Sequence, residues 1–132
     1  MKLSGDVVFI AIGGAVGAVT RYGVGELLPS TSFPWATFVV NIVGCALLAL
    51  VSSPTRTRSQ RRILGVGFCG GLTTFSTFTV EVASLTNDGR STLAIVYLLA
   101  SLAAGFVAFA AVSGWIQPGP QAPPTPSAVR RT

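Results

Sequence analysis

Residues 67–78, GFCGGLTTFSTF, bring together two adjacent glycines (Gly70, Gly71), four hydroxyl side chains (Thr73, Thr74, Ser76, Thr77) and two aromatic rings (Phe75, Phe78). The stretch around them, 63–80, carries no charge and is long enough to cross a bilayer. Lipid accepts irregular backbone only where protein buries it or where it lines an aqueous path. An apolar span that invites unwinding at its midpoint, with hydroxyls around the break, points to a pathway for an ion or solute. The rings suggest the sign of that ion. An aromatic ring is positive at its edge, so an anion passing ring edges, amide protons and hydroxyls would exchange part of its water shell for weak donors. No Lys or Arg is present in the stretch to trap it, and conduction needs binding strong enough to admit an ion yet weak enough to release it. On residue types alone, a packed pair of aromatics in a Thr-rich helix fits equally well, with the hydroxyls bonded to carbonyls of their own helix.

The rest of the chain supplies the elements that must hold this segment. Half of the 132 residues are hydrophobic and 10% are charged. Mean hydropathy is +0.67, too apolar for an ordinary water-soluble domain. Charge is absent from 7–20, 35–52, 63–80 and 92–116. A spanning helix needs roughly 17–25 apolar residues, and the first segment reaches that length only with Arg21 and Tyr22 at its far end. The pattern predicts an all-α integral membrane protein of four transmembrane helices, at about 7–25, 33–52, 62–84 and 92–116, the third broken at its centre. The spans form one domain, 1–117, and the stretch 118–132, with five prolines and no apolar periodicity, reads as a disordered polar tail. Lys2 before a short apolar run imitates a secretory signal, but Thr20-Arg21-Tyr22 is a poor cleavage site and three more apolar segments follow. Four short helices bury little core and leave few surfaces to line a pore, so the chain is expected to oligomerise.

Several polar groups fall at membrane depth. Asn41 lies in an apolar run six residues beyond Trp35. Intramembrane amides commonly bind helix to helix at about 0.6 kcal/mol per hydrogen bond, while the same amide could donate to an anion. Arg21 is costly in lipid unless it snorkels or finds a partner. Backbone carbonyls, Glu26 and a role in drawing anions to an entrance remain equal candidates for it. Tyr97 and Ser101 stand four apart on one helix face, and Gly105 continues that face. Gly13–Gly17 and Gly67–Gly71 have the small-xxx-small spacing of close helix contact. Cys45 and Cys69 form no CxxC pair and read as small packing residues.

Charge placement sets topology. With four spans, the N-terminus, the 53–62 loop and the C-terminal tail share one side, which holds Lys2, Arg56, Arg58, Arg61, Arg62, Arg130 and Arg131. Arg90 lies on the other, with Arg21 if it reaches the interface. This bias puts both termini in the cytoplasm and explains the net charge of +5 without nucleic acid. Three functional readings remain: an ion channel, a small four-helix proton-coupled multidrug exporter, or a non-conducting assembly subunit. The exporter needs a membrane-embedded carboxylate, and Asp6, Glu26, Glu81 and Asp88 all read as lying at or beyond span ends. An enzyme is not expected: there is no His, no Ser/base pair and no carboxylate pair within the spans.

Three motifs, Gly13-Gly14-x-x-Gly17-Ala18-x-x-Arg21-Tyr22, Asn41-x-x-Gly44 and Gly70-Gly71-x-Thr73-Thr74-Phe75-Ser76-Thr77-Phe78, resemble in their order those of the Fluc (CrcB) fluoride channels. The likeness runs from Gly13 to about Gly105. It implies a fluoride-selective channel in the cell inner membrane that lets the membrane potential drive fluoride out of the cytoplasm and so relieves fluoride toxicity. It implies a dual-topology dimer, two subunits assembled antiparallel around two pores. Phe75 and Phe78 would line the pore, Asn41 would donate beside them, Ser76 and Thr77 would belong to the polar lining, and Tyr97 and Ser101 would extend a hydroxyl track. Gly105 falls where many members carry Ser or Thr. A structural sodium ion would be held by the backbone carbonyls of Gly70 and Thr73 from both subunits. Opposed subunits of one sequence need a near-neutral Lys/Arg bias, whereas this chain has seven against two. The bias favours pairing with a homologous subunit of opposite orientation over pairing with itself.

Overall fold

The computed structural model describes residues 5–28 and 32–116. The proline-rich stretch 118–132, Lys2, Arg130 and Arg131 lie outside the described residues. Every regular element among those described is helical.

Helix α1 (Gly5–Leu27) is 23 residues long, about 35 Å at 1.5 Å per residue. Helix α2 (Trp35–Val51) has 17 residues, about 26 Å, and is the shorter apolar helix of the set. The rings of Phe33 and Trp35 meet at its start, tilted at 47° with centroids 4.5 Å apart, in the manner of aromatics at a membrane interface. The third span covers Arg58–Asn87 in four pieces. Thr57 and Gln60 close a reciprocal capping box around α3 (Arg58–Gln60). A π-helix (Arg61–Cys69) and α4 (Gly70–Leu72) follow, then, after an interruption, α5 (Phe75–Asn87). Helix α6 (Ser91–Ile116) completes the fold. The turn before it uses Gly89 at φ +73°, with Arg90 N–H donating to Leu85 C=O at 2.8 Å and Gly89 N–H to Thr86 C=O at 3.1 Å. That is the left-handed helix end glycine permits.

The chain runs up and down. Asp6 near the start of α1 accepts from Ser59 Oγ at 3.0 Å, so the N-terminal end and the 52–57 loop share a side. At the other side Arg90 Nη2 donates to Ser32 C=O at 3.1 Å. Helix α1 packs along the π-helix and α4, and α2 along α6. Packing of α1 depends on missing side chains: a Cβ on Gly67 would stand 2.7 Å from the Ile10 carbonyl, and one on Gly71 would overlap the Gly14 carbonyl. A small apolar core of Phe78, Leu85, Ala94 and Tyr97 joins α5 to α6, with Phe33, Phe38 and Val82 against it. Only 6% of the α1 apolar window and 11% of the α6 window is buried within one chain, which leaves lipid or protein to cover the remainder.

The interruption differs from the expected one in position. Gly70 and Gly71 are helical, and the extended residues are Thr73 (φ −80°, ψ 157°) and Thr74 (φ −146°, ψ 124°). Gly71 serves the close approach of α1, while β-branched threonines adopt extended backbone readily. The break stands at the middle of the 30-residue span.

Candidate functional site

Each end of the break is closed by its own hydroxyls. Thr73 Oγ1 and N–H both donate to Cys69 C=O, at 2.9 and 3.0 Å. Thr74 Oγ1 caps α5 by accepting from Thr77 N–H at 3.1 Å, and it donates to Thr77 Oγ1 at 3.0 Å. Ser76 Oγ lies 3.3 Å from the same oxygen. Of the hydroxyls of the motif, that of Thr74 takes a backbone N–H that the break sets free, while that of Thr73 adds a second bond to a carbonyl already in the helix.

Two other helices hold the break in place. Asn41 of α2 engages Thr74 with both ends of its amide: Oδ1 accepts from Thr74 N–H at 2.8 Å and Nδ2 donates to Thr74 C=O at 3.1 Å. An amide carries two N–H donors, so one stays available. Arg21 of α1 donates from Nη1 to Thr73 C=O at 2.9 Å. Arg21 thus reaches the middle of the bundle and not an interface, and of its candidate partners a backbone carbonyl is the one found. A Cβ on Gly44 would overlap the Thr73 methyl, so this glycine lets α2 come close enough for Asn41 to reach.

Beside the break opens a cavity of about 380 Å³ lined by Asn41, Gly70, Thr73, Phe75, Phe78 and Ser101, among other residues. No charged side chain lines it. The Phe75 and Phe78 rings lie with centroids 6.0 Å apart and planes inclined at 37°. Phe78 is buried, whereas Phe75 is 76% exposed on the open side. Ser101 Oγ is buried and, among the described residues, has no hydrogen-bond partner, so its proton is free for whatever occupies the cavity. Ser76 and Thr77 are not among the lining residues but stand one turn along at the cap.

Tyr97 stands behind Phe78, with ring centroids 5.1 Å apart, and is fully buried. Its hydroxyl donates to Glu81 Oε2 at 2.7 Å, and Thr37 Oγ1 donates to Glu81 Oε1 at 2.8 Å. Glu81 was expected at a span end, but α5 continues to Asn87 and the carboxylate sits inside the span. Two hydroxyls from α2 and α6 make that position tolerable, because a carboxylate at membrane depth needs donors. Sequence reading missed this cluster. The available signal was spacing: Glu81 lies three residues past Phe78, on the same helix face.

The donor set for a hard cation can be tested on the backbone. Thr74 N–H goes to Asn41 and not to Gly70, whose carbonyl is left without the bond a continuous helix would give it. A second carbonyl, that of Thr73, accepts from Arg21 but retains a lone pair. Backbone oxygens suit such a cation. One chain offers two of them, fewer than such a cation needs.

These features define a multi-pass helical membrane protein whose third span is broken and clamped beside an uncharged cavity. The CrcB-like protein family (Camphor Resistance, CrcB) matches residues 8–115, and the chain belongs to that family. The fluoride-specific ion channel FluC 2 of Rhodococcus jostii (strain RHA1) is 48% identical over 103 residues, covering 77% of this chain and 90% of the relative. The fluoride-specific ion channel FluC 1 of Ligilactobacillus salivarius (strain UCC118) is 42% identical over 101 residues, 75% and 89% of the two chains. The fluoride-specific ion channel FluC of Prosthecochloris aestuarii (strain DSM 271 / SK 413) is 41% identical over 108 residues, 76% and 84%.

Proposed function

We propose that this chain is a subunit of a fluoride-selective channel that releases cytoplasmic fluoride passively. The observation that carries the reading is the uncharged cavity at the break, where the Phe75 and Phe78 rings meet the unpartnered Ser101 hydroxyl. In such a cavity fluoride meets ring edges, the free amide proton of Asn41 and one hydroxyl, weak donors that exchange for water without trapping the ion. An inside-negative potential drives the anion outward at about 2.3 kcal/mol per unit charge per 100 mV. Names of the relatives support the same substrate.

The functional unit in this reading is an antiparallel dimer in the cell inner membrane with both termini cytoplasmic. Support comes from the cavity's open side, the exposure of Phe75 and the small buried share of α1 and α6. A sodium ion between the carbonyls of Gly70 and Thr73 of two subunits would supply a fixed positive charge linking the breaks. Arg21 lies at the break and leaves the tally of interfacial charges. The Lys/Arg bias then becomes seven against one, since the nine basic residues less Arg21 and Arg90 leave seven. This favours one orientation and hence a homologous partner of the opposite one.

Liposomes containing the purified chain, loaded with fluoride and chloride and read by ion-selective electrodes, test the function. The expected result is rapid fluoride loss with chloride retained, from the chain alone or on adding the opposed homologue, and the same rate without a proton gradient. Flux that requires a proton gradient would instead make Glu81 the coupling group of an exporter. Absence of flux in both preparations would leave an assembly subunit.

A further inference from the structure

A second cavity, of about 370 Å³, lies at the opposite end of the π-helix from the break and is lined by Arg58, Arg61, Arg62 and Val66. Nothing in the conduction pathway uses these residues. Arg62 Nη1 reaches Asp6 Oδ2 only at 3.5 Å, with both side chains substantially exposed. Arg61 donates through Nε and Nη2 to Arg56 C=O at 3.2 and 3.0 Å, which orients its guanidinium and leaves further N–H groups open. The Arg58 carbonyl accepts from Arg61 N–H, but its guanidinium has no hydrogen-bond or ion-pair partner among the described residues. Three arginines therefore line the groove, and only Arg62 has a carboxylate beside it, which leaves a local excess of two positive charges. The fourth lining residue is of another kind. Val66 stands one turn deeper into the span and is 68% exposed, an aliphatic surface where acyl chains run.

We infer that this groove binds the headgroup of an anionic phospholipid, with the phosphodiester among Arg58, Arg61 and Arg62 and an acyl chain against Val66. Guanidinium forks match phosphate oxygens, and basic pockets at the membrane rim of a helix bundle are suited to acidic lipids. A free oxyanion would find the same donors but would gain nothing from Val66. The inference needs only the membrane placement of the chain and does not depend on what passes the break.

The test measures retention of phosphatidylglycerol against phosphatidylcholine on the full chain in detergent, by native mass spectrometry across a lipid titration. Phosphatidylglycerol should be retained in preference. Arg58→Gln, which removes no contact inside the fold, should weaken it about five-fold, the fold-change equivalent to the contribution of one arginine near an anionic surface. Val66→Asn should weaken the lipid as well, and millimolar inorganic phosphate should not displace it. Equal retention of the two lipids, or unchanged affinity in Arg58→Gln, would overturn the proposal. Displacement by inorganic phosphate as effective as by excess phosphatidylglycerol would also overturn it, assigning the groove to free oxyanions. Fluoride efflux from liposomes made with the same protein, with and without the opposed homologue, separates the two readings: lost lipid preference with intact efflux removes only the lipid site, and intact preference with no efflux from either preparation removes only the channel.

Discussion

Asn41 makes, with one side chain, the pair of hydrogen bonds that a neighbouring strand would offer to Thr74. Asn41→Leu leaves a peptide N–H and C=O without partners in a span where water is scarce, at about 1–3 kcal/mol for each orphaned group. The expected outcome is a clear loss of resistance to unfolding in a denaturing-detergent titration; an unchanged midpoint would show that the break is held without it. Phe75 predicts the opposite separation. It is exposed on the cavity's open side, so Phe75→Ile should leave the single chain's unfolding midpoint within about 0.5 kcal/mol while cutting fluoride efflux at least ten-fold. Wild-type efflux from that variant would remove the ring from the pathway. Residue types and spacing drew attention to Asn41, Phe75, Phe78 and Ser101 but left each open between packing and pathway; that all four line one cavity is visible only in three dimensions. The partner of Arg21 was not legible, since Thr73 is 52 positions away. Nor was the place of Glu81: a span read as 62–84 puts it near an end, and hydroxyls on other helices leave no trace in that reading.

At the scale of elements, the third span is two helices whose ends are capped independently and whose join is held from α1 and α2. Apolar runs and helical spacing exposed the four helices and the central break. The π-helix, which packs on α1 and α2, gave no such signal, because hydropathy does not record the width of a helical turn. Gly71 tests that contact. Gly71→Ala sets a methyl against the Gly14 carbonyl, so α1 must move away and carry Arg21 from Thr73. The expected cost is about 1–3 kcal/mol, measured as a lower thermal aggregation midpoint in detergent. Gly25→Ala, where a Cβ meets nothing within 4 Å, serves as the control and should lose no stability. Equal behaviour of the two would mean that α1 is not closely packed.

For the whole molecule, the distribution of positive charge and the arrangement of helices make separate demands. A bundle with so little of α1 and α6 covered is suited to a partner, while a seven-to-one Lys/Arg distribution works against the same chain inserting both ways. Reporter fusions at the C-terminus are expected to find one orientation, cytoplasmic, in nearly all molecules. Equal populations of the two orientations would end the case for a separate opposed subunit.

The clamps on the break also have an order in time. Arg21 and Asn41 both precede Thr73 and Thr74 in the chain, whereas the Tyr97 partner of Glu81 follows. Synthesis proceeds from the N-terminus at roughly 5–20 residues per second, so both clamping side chains leave the ribosome about 2–10 seconds before the peptide groups they bind. Glu81 is served in the other order: until α6 emerges, only Thr37 of its two hydroxyl partners has been made, and Tyr97 follows.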